Sequence, residues 1–222
     1  MHKIGAERPY FLPDFDFFHR LFHSDVFVIA DFLKFRHQSP MVRALLSLAP
    51  QAYLTIPVQN PSDPHPPLNE VKLDNSQPWK DKHLKTLKNR FQSYPFFDFY
   101  FPEIEAIYRQ QHHYLLDLLR PLLQYQVKTI LPEIDFRFAS ELNIHTENEL
   151  FDWAREQGFA QWLIMDDEDE YYLQFVSENR LMKLPLIEDD VFPSSYSRQL
   201  PLLILQFLQG PETIMYFGEK ED

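Results

Sequence analysis

Apolar residues recur along this chain with two different periods, and the changes of period divide it into elements. Phe15, Phe18, Leu21 and Phe22 follow Asp14 at three- and four-residue steps, which predicts a helix capped by that aspartate. Val26-Phe27-Val28-Ile29-Ala30 is a continuous apolar run ending at Asp31, the pattern of a strand buried on both faces. Tyr53 to Val58 predicts a second strand, with Pro57 at an edge or end because it has no N–H to donate. Val71-Lys72-Leu73 reads as a short strand, followed by a turn and then a helix. In that helix Trp79, His83, Leu84, Leu87 and Phe91 share one face. Asn75 and Ser76 are capping residue types ahead of it, and Pro78 is predicted in its first turn.

The rest of the pattern alternates in the same way. Arg8 to Pro13 is predicted to be extended, since each proline drives its predecessor out of the helical region. The proline-rich stretch between Pro61 and Asn69 reads as a stiff surface loop. Pro102 is expected to open a helix ending near Gln111, and Tyr114 to Leu123 a further helix, interrupted or kinked near Pro121. Phe136 to Ala139 alternates as a strand does. Thr146 and Glu149 form a capping box for a helix ending near Gly158, and Gln161 to Met165 is a strand. Leu200 to Leu208 reads as a helix stopped by Gly210-Pro211, with a final strand after it. This order predicts an α/β or α+β protein, a mixed sheet with packed helices in a single globular unit spanning residues 1–222.

Composition narrows the partners. The net charge is -12, which argues against nucleic acid, whose binding rests on Lys and Arg displacing counterions. The four glycines are scattered, so no glycine-rich phosphate loop exists. With no cysteine there is no disulfide, thiol nucleophile or thiolate-bound metal. Met1 to Pro9 lacks the apolar core of a signal peptide, and Leu200 to Leu208 falls far short of the roughly 20 residues that span a bilayer, so a cytoplasmic protein without membrane insertion is expected. His19 and His23 have metal-ligand spacing but no assigned third ligand. The acid run Asp166 to Glu170 lacks the alternation of a calcium loop and reads as a solvated hairpin tip. No metal site is expected, and no cofactor is assigned.

The candidate chemistry centres on the helix from Trp79. Its polar face carries Lys82, Lys85 and Lys88, a basic island in an acidic chain, and its start after Ser76 presents free N–H groups. A phosphorylated sugar or nucleotide diphosphate suits that arrangement; a merely solvated lysine face is the other reading. His83 is a general base, a hydrogen-bond donor to substrate, or a core histidine bonded to backbone. Asp31, at a strand end, orients a sugar hydroxyl, acts with His83 as an acid/base pair, or serves as a capping or turn carboxylate, and Asp74 has the same ambiguity. Tyr10 and Phe11 either stack on a substrate ring or belong to the core.

The same residues carry a resemblance. Asn75-Ser76, Trp79, His83, Thr86, Phe91 and Pro95-Phe96-Phe97 are similar to the central motif of the WbqC-like protein family. Pro9, Phe11, Pro13 and Phe18, then Asp25, Asp31, Phe35, Ser39 and Arg43, resemble its amino-terminal pattern. Tyr53 to Val58, Tyr172 to Phe175 and Gly210-Pro211-Glu212 extend the likeness over nearly the full length. Glu7, Arg8, Lys34 and Val42 depart from the pattern, standing where the family tends to have His or Gln, Gln, Gln and Asn. Pro201, Ile204 and Leu208 stand where it tends to have Ser, Asp and Asn. The resemblance implies a role in bacterial surface-polysaccharide or amino-sugar biosynthesis, with acyl or aminoacyl transfer to a sugar nucleotide as the reaction. In that picture His83 and Asp31 act in catalysis, and Lys82, Lys85, Asn75, Ser76, Trp79, Tyr10 and Arg43 bind substrate. A non-catalytic binding protein derived from the family is the alternative.

Overall fold

A parallel sheet, wound outward from its central strand, organises the fold. The computed structural model describes residues 2–59, 65–159, 161–165, 180–184, 191–194 and 196–218. In chain order its elements are β1 (Lys3–Glu7), α1 (Phe15–His23), β2 (Val26–Ile29), β3 (Arg43–Leu48), β4 (Gln51–Thr55), α2 (Trp79–Phe91), α3 (Phe97–Arg109) and α4 (Leu115–Ile130). There follow β5 (Asp135–Phe138), α5 (Glu147–Glu156), β6 (Gln161–Met165), β7 (Arg180–Leu184) and α6 (Leu202–Gln209). The strand order is β5-β2-β1-β6-β7, every neighbour parallel, and β3-β4 forms a separate antiparallel pair. The chain therefore moves from β1 to one side through β2 and β5, then returns to the other side for β6 and β7. This is a single α/β unit.

The two-residue period of the strands explains the layering. Ile4, Ala6, Val26 and Val28 enter a small core with Leu150 and Ala154 of α5 and Trp162. Phe27 and Ile29, pointing the other way, join a much larger core with Phe17, Phe18 and Leu21 of α1. Both sheet faces are covered, so β1 and β2 are buried at every position. Gly5 makes the approach of β1 to β2 possible, because a Cβ there would lie 2.5 Å from Ser24 Oγ and 2.6 Å from the Phe27 ring.

The expectations for α1, β2, β5, α5 and β6 hold to within a residue or two. Asp14 caps α1 by accepting from Phe17 N, and Thr146 caps α5 by accepting from Glu149 N, while Glu149 reaches back to His145 N. Three expectations are corrected. The α3 helix begins at Phe97, and Pro102 lies inside it. Its buried stripe Phe97, Tyr100, Phe101, Ile104, Ile107 and Tyr108 outweighs the roughly 3 kcal/mol that an interior proline costs, since each such side chain contributes about 1.5–3 kcal/mol on burial. Pro121 likewise lies inside an unbroken α4. After Gly210, where φ is +60° and the Phe96 ring packs against the backbone, the chain forms a 3-10 helix over Gly210–Phe217 instead of a strand. Strand β3 went unread, and it supplies the partner that β4 needs. The acid run from Asp166 and the Tyr172 to Phe175 segment lie outside the described residues. No helix among the described residues is long and apolar enough to cross a membrane.

Candidate functional site

Parallel sheets of this kind leave a crevice outside the carboxyl ends of their strands. Here a cavity of about 820 Å³ lies there. Its wall is built from Arg8, which directly follows β1, from the Phe32 to His37 segment that follows β2, from Met41 and His65, and from Thr146 and Glu147 at the start of α5. Arg8, Lys34 and Arg36 bring three permanent cations to it and His37 and His65 two imidazoles, against the single carboxylate of Glu147. In a chain of net charge -12 that lining is a local reversal of sign.

Two buried carboxylates brace the strand ends behind this wall. Glu7, at the end of β1, accepts from Arg20 Nη2 at 2.6 Å and from Arg8 N and Nε at 2.7 and 3.2 Å, which sets the direction of the Arg8 side chain. Asp31, two residues past β2, accepts from Ser140 N at 3.0 Å, Ser140 Oγ at 2.5 Å and Arg120 Nη2 at 2.7 Å. Arg120 also reaches Glu141 and lies over the Phe138 ring. Asp31 therefore ties together the ends of β2 and β5 and helix α4. It anchors the segment lining the cavity and is not itself part of the lining.

The residues expected to act beside Asp31 sit elsewhere. His83 is buried in α2 with Nε2 3.1 Å from the Thr55 carbonyl oxygen, to which it donates, and Nδ1 3.3 Å from the Tyr108 hydroxyl. Burial lowers its pKa to about 4 against a smaller opposite pull from the Thr55 carbonyl, so the ring is neutral at pH 7. Both nitrogens face internal partners, with Trp79, Phe11 and Tyr108 around the ring. Lys82 and Lys85 are exposed on the far side of the helix. Tyr10 is half-buried against Phe17, and its hydroxyl is held well above the usual pKa, chiefly by burial. Arg43, at the start of β3, stacks its guanidinium 3.6 Å from the Tyr53 ring centre.

The start of α2 has its own geometry. Pro78 occupies the cap position and no side chain caps the helix. Ser76 N is bonded by Asp74, and Asn75 is used as a bracket, accepting from Trp79 Nε1 at 3.1 Å and donating to the His112 carbonyl at 3.1 Å. A cleft of about 360 Å³ opens here, lined by Asn75, Trp79, Lys80, Tyr108 and His112 among others, but by neither Lys82 nor Lys85.

A model of the WbqC-like protein family matches residues 8–196. The chain belongs to this family. No curated protein and no solved structure matches it. The family match begins at Arg8, the first residue of the cavity wall, and ends before the Gly210-Pro211-Glu212 segment. Two of the positions expected to depart from the family pattern, Arg8 and Lys34, stand together in the strand-end cavity. Two others, Val42 and Ile204, are buried in the larger core.

Sequence reasoning missed Arg36, His37 and His65 as a group. Arg36-His37 was visible as an arginine beside a histidine soon after a predicted strand end, which is the signal that strand-end chemistry offers. His65 lies 28 residues further on, beyond a hairpin, and no spacing rule connects it to them.

Proposed function

We propose that this WbqC-like protein binds a negatively charged sugar derivative, a sugar nucleotide, in the cavity at the carboxyl ends of β1 and β2, and acts in surface-polysaccharide or amino-sugar biosynthesis. The observation that carries this reading is the cationic lining of Arg8, Lys34 and Arg36 in a chain of net charge -12. Phosphate groups are matched by guanidinium forks and a lysine point charge, and Phe32 offers an apolar surface to a ring. The reaction we assign is acyl or aminoacyl transfer. The amine of the bound sugar attacks the carbonyl carbon of an activated ester, the new C–N bond forms, and the bond to the leaving alcohol breaks. His37, exposed on the cavity wall, takes the proton shed by the nitrogen and returns it to the leaving oxygen.

The burial of Val42 and Ile204, where the family tends toward polar residues, supports a second reading, a binding protein without turnover. Thermal unfolding against a panel of sugar nucleotides, nucleotides and free sugars tests both. A ligand at about 100 times its Kd adds about 2.7 kcal/mol, a rise of roughly 5–10 °C for a chain of this length. We expect that rise with a sugar nucleotide, its loss in Lys34→Glu/Arg36→Glu, and its retention in Lys82→Glu/Lys85→Glu. A rise that survives Lys34→Glu/Arg36→Glu refutes the assignment of the cavity. Binding without product formation from any activated ester selects the second reading.

A further inference from the structure

A separate cavity of about 340 Å³ lies where the ends of β3 and α2 meet the segment leading into α6. It shares no lining residue with the strand-end cavity. Its floor is apolar, formed by the buried side chains of Leu46, Phe91, Leu200 and Ile204. Neighbouring residues of a regular strand point to opposite faces, yet Leu46 and Ser47 both line this cavity. The register of β3 against β4 shifts between Leu45 and Ser47, and a bulge of this kind bends a strand and re-aims its side chains. Phe91 closes the buried stripe of α2 and packs on the rings of Tyr94 and Phe207. Leu200 is fixed by two bonds, its N–H donating to the Ser197 carbonyl and its own carbonyl accepting from the Tyr196 hydroxyl, each at 2.9 Å.

The polar part of the wall has the opposite character. Ser47, Arg90 and Ser194 line it, and no aspartate or glutamate does. The exposed arginines Arg109, Arg137 and Arg155 are each held by a carboxylate. Among the described residues Arg90 has no such partner, and the hydroxyls of Ser47 and Ser194 have no hydrogen-bond partner. Lys88 and Arg90 in the last turn of α2 outweigh the negative end of its dipole, which amounts to about half an elementary charge. An apolar floor beside one guanidinium fork and two hydroxyl donors is complementary to a carboxylate on an apolar body. From this arrangement we infer that the cavity binds a small hydrophobic carboxylate. Arg90 pairs with the carboxylate, Ser47 and Ser194 donate to it, and the apolar body covers Leu46, Phe91, Leu200 and Ile204. An amino acid is disfavoured, because its ammonium group finds no acid in the lining. The site stands whether or not the strand-end cavity binds a sugar nucleotide.

The test is titration of the intact protein with acetate, hexanoate, benzoate and the neutral benzamide, read from backbone amide resonances. Ser47, Leu48 and Arg90 should shift with hexanoate or benzoate, at an affinity at least tenfold above that for acetate, since added buried carbons strengthen binding. The tighter of the two assigns an aliphatic or an aromatic body. Arg90→Gln, at an exposed position, should leave the rest of the spectrum in place and weaken binding about tenfold or more by removing a charged hydrogen bond. Lys34→Glu/Arg36→Glu should leave the response unchanged. The inference is overturned if neither hexanoate nor benzoate shifts these amides, or if acetate or benzamide binds as tightly as they do. A response undiminished in Arg90→Gln, or abolished in Lys34→Glu/Arg36→Glu, overturns it equally.

Discussion

Asp31→Ala tests the most consequential reassignment, that of a strand-end carboxylate from chemistry to anchorage. The substitution deletes three hydrogen bonds, two from Ser140 and one from Arg120, to a side chain that is 3% exposed. Breaking a fully buried ion pair from one side costs about 3–5 kcal/mol. Arg120 is 30% exposed and keeps Glu141, so part of its charge returns to water and the lower end applies. A loss of about 3 kcal/mol follows, or a fall in Tm of roughly 6–12 °C for a chain of this size. Urea unfolding followed by far-UV circular dichroism measures it, with an unchanged m value showing that the unfolded state is not the cause. Arg120→Ala and the double variant complete a cycle, in which the two losses should fall short of additivity by about 1 kcal/mol or more. A loss below about 1 kcal/mol, or strict additivity, refutes the clamp. An Asp31→Asn protein of native stability with no turnover would return Asp31 to catalysis.

Two further perturbations follow from burial. His83, with its pKa lowered from 6.5 to about 4, refuses a proton that the unfolded chain accepts, so its contribution is complete above pH 6.5 and is lost as the pH falls towards 4. That loss reaches at most about 3 kcal/mol, and His83→Gln should flatten this part of the stability curve in urea titrations between pH 7.5 and 4; an unchanged slope refutes it. Gly5→Ala places a methyl 2.5 Å from Ser24 Oγ and 2.6 Å from the Phe27 ring, and should cost about 1–3 kcal/mol by forcing β1 from β2, read as a lowered Tm. A Tm equal to that of the native chain would mean that the strands yield freely there.

The sequence by itself determined the elements whose signals are local. The apolar run of β2, the Asp14 and Thr146 caps and the buried stripe of α2 are set by side chains within a few residues of one another, so periodicity and capping chemistry suffice to read them. The family was legible for the same reason, through ordered short motifs such as Asn75-Ser76 with Trp79 and His83. Pro102 and Pro121 misled because local cost was all that the sequence displayed, whereas the helices through them are held by stripes of buried rings and leucines drawn from across the fold.

The site belongs to the other class. Only the winding of the sheet brings Arg8, Lys34, His65 and Glu147 to one cavity from segments separated by as many as 139 residues in the chain. Whether a histidine is a base or a core group is likewise decided by what its nitrogens meet. For His83 those partners are Thr55 and Tyr108, one from β4 and one from α3. Local interactions are short in sequence and can be read there; burial and pairing act at a few ångströms in space, and only the folded chain sets those distances.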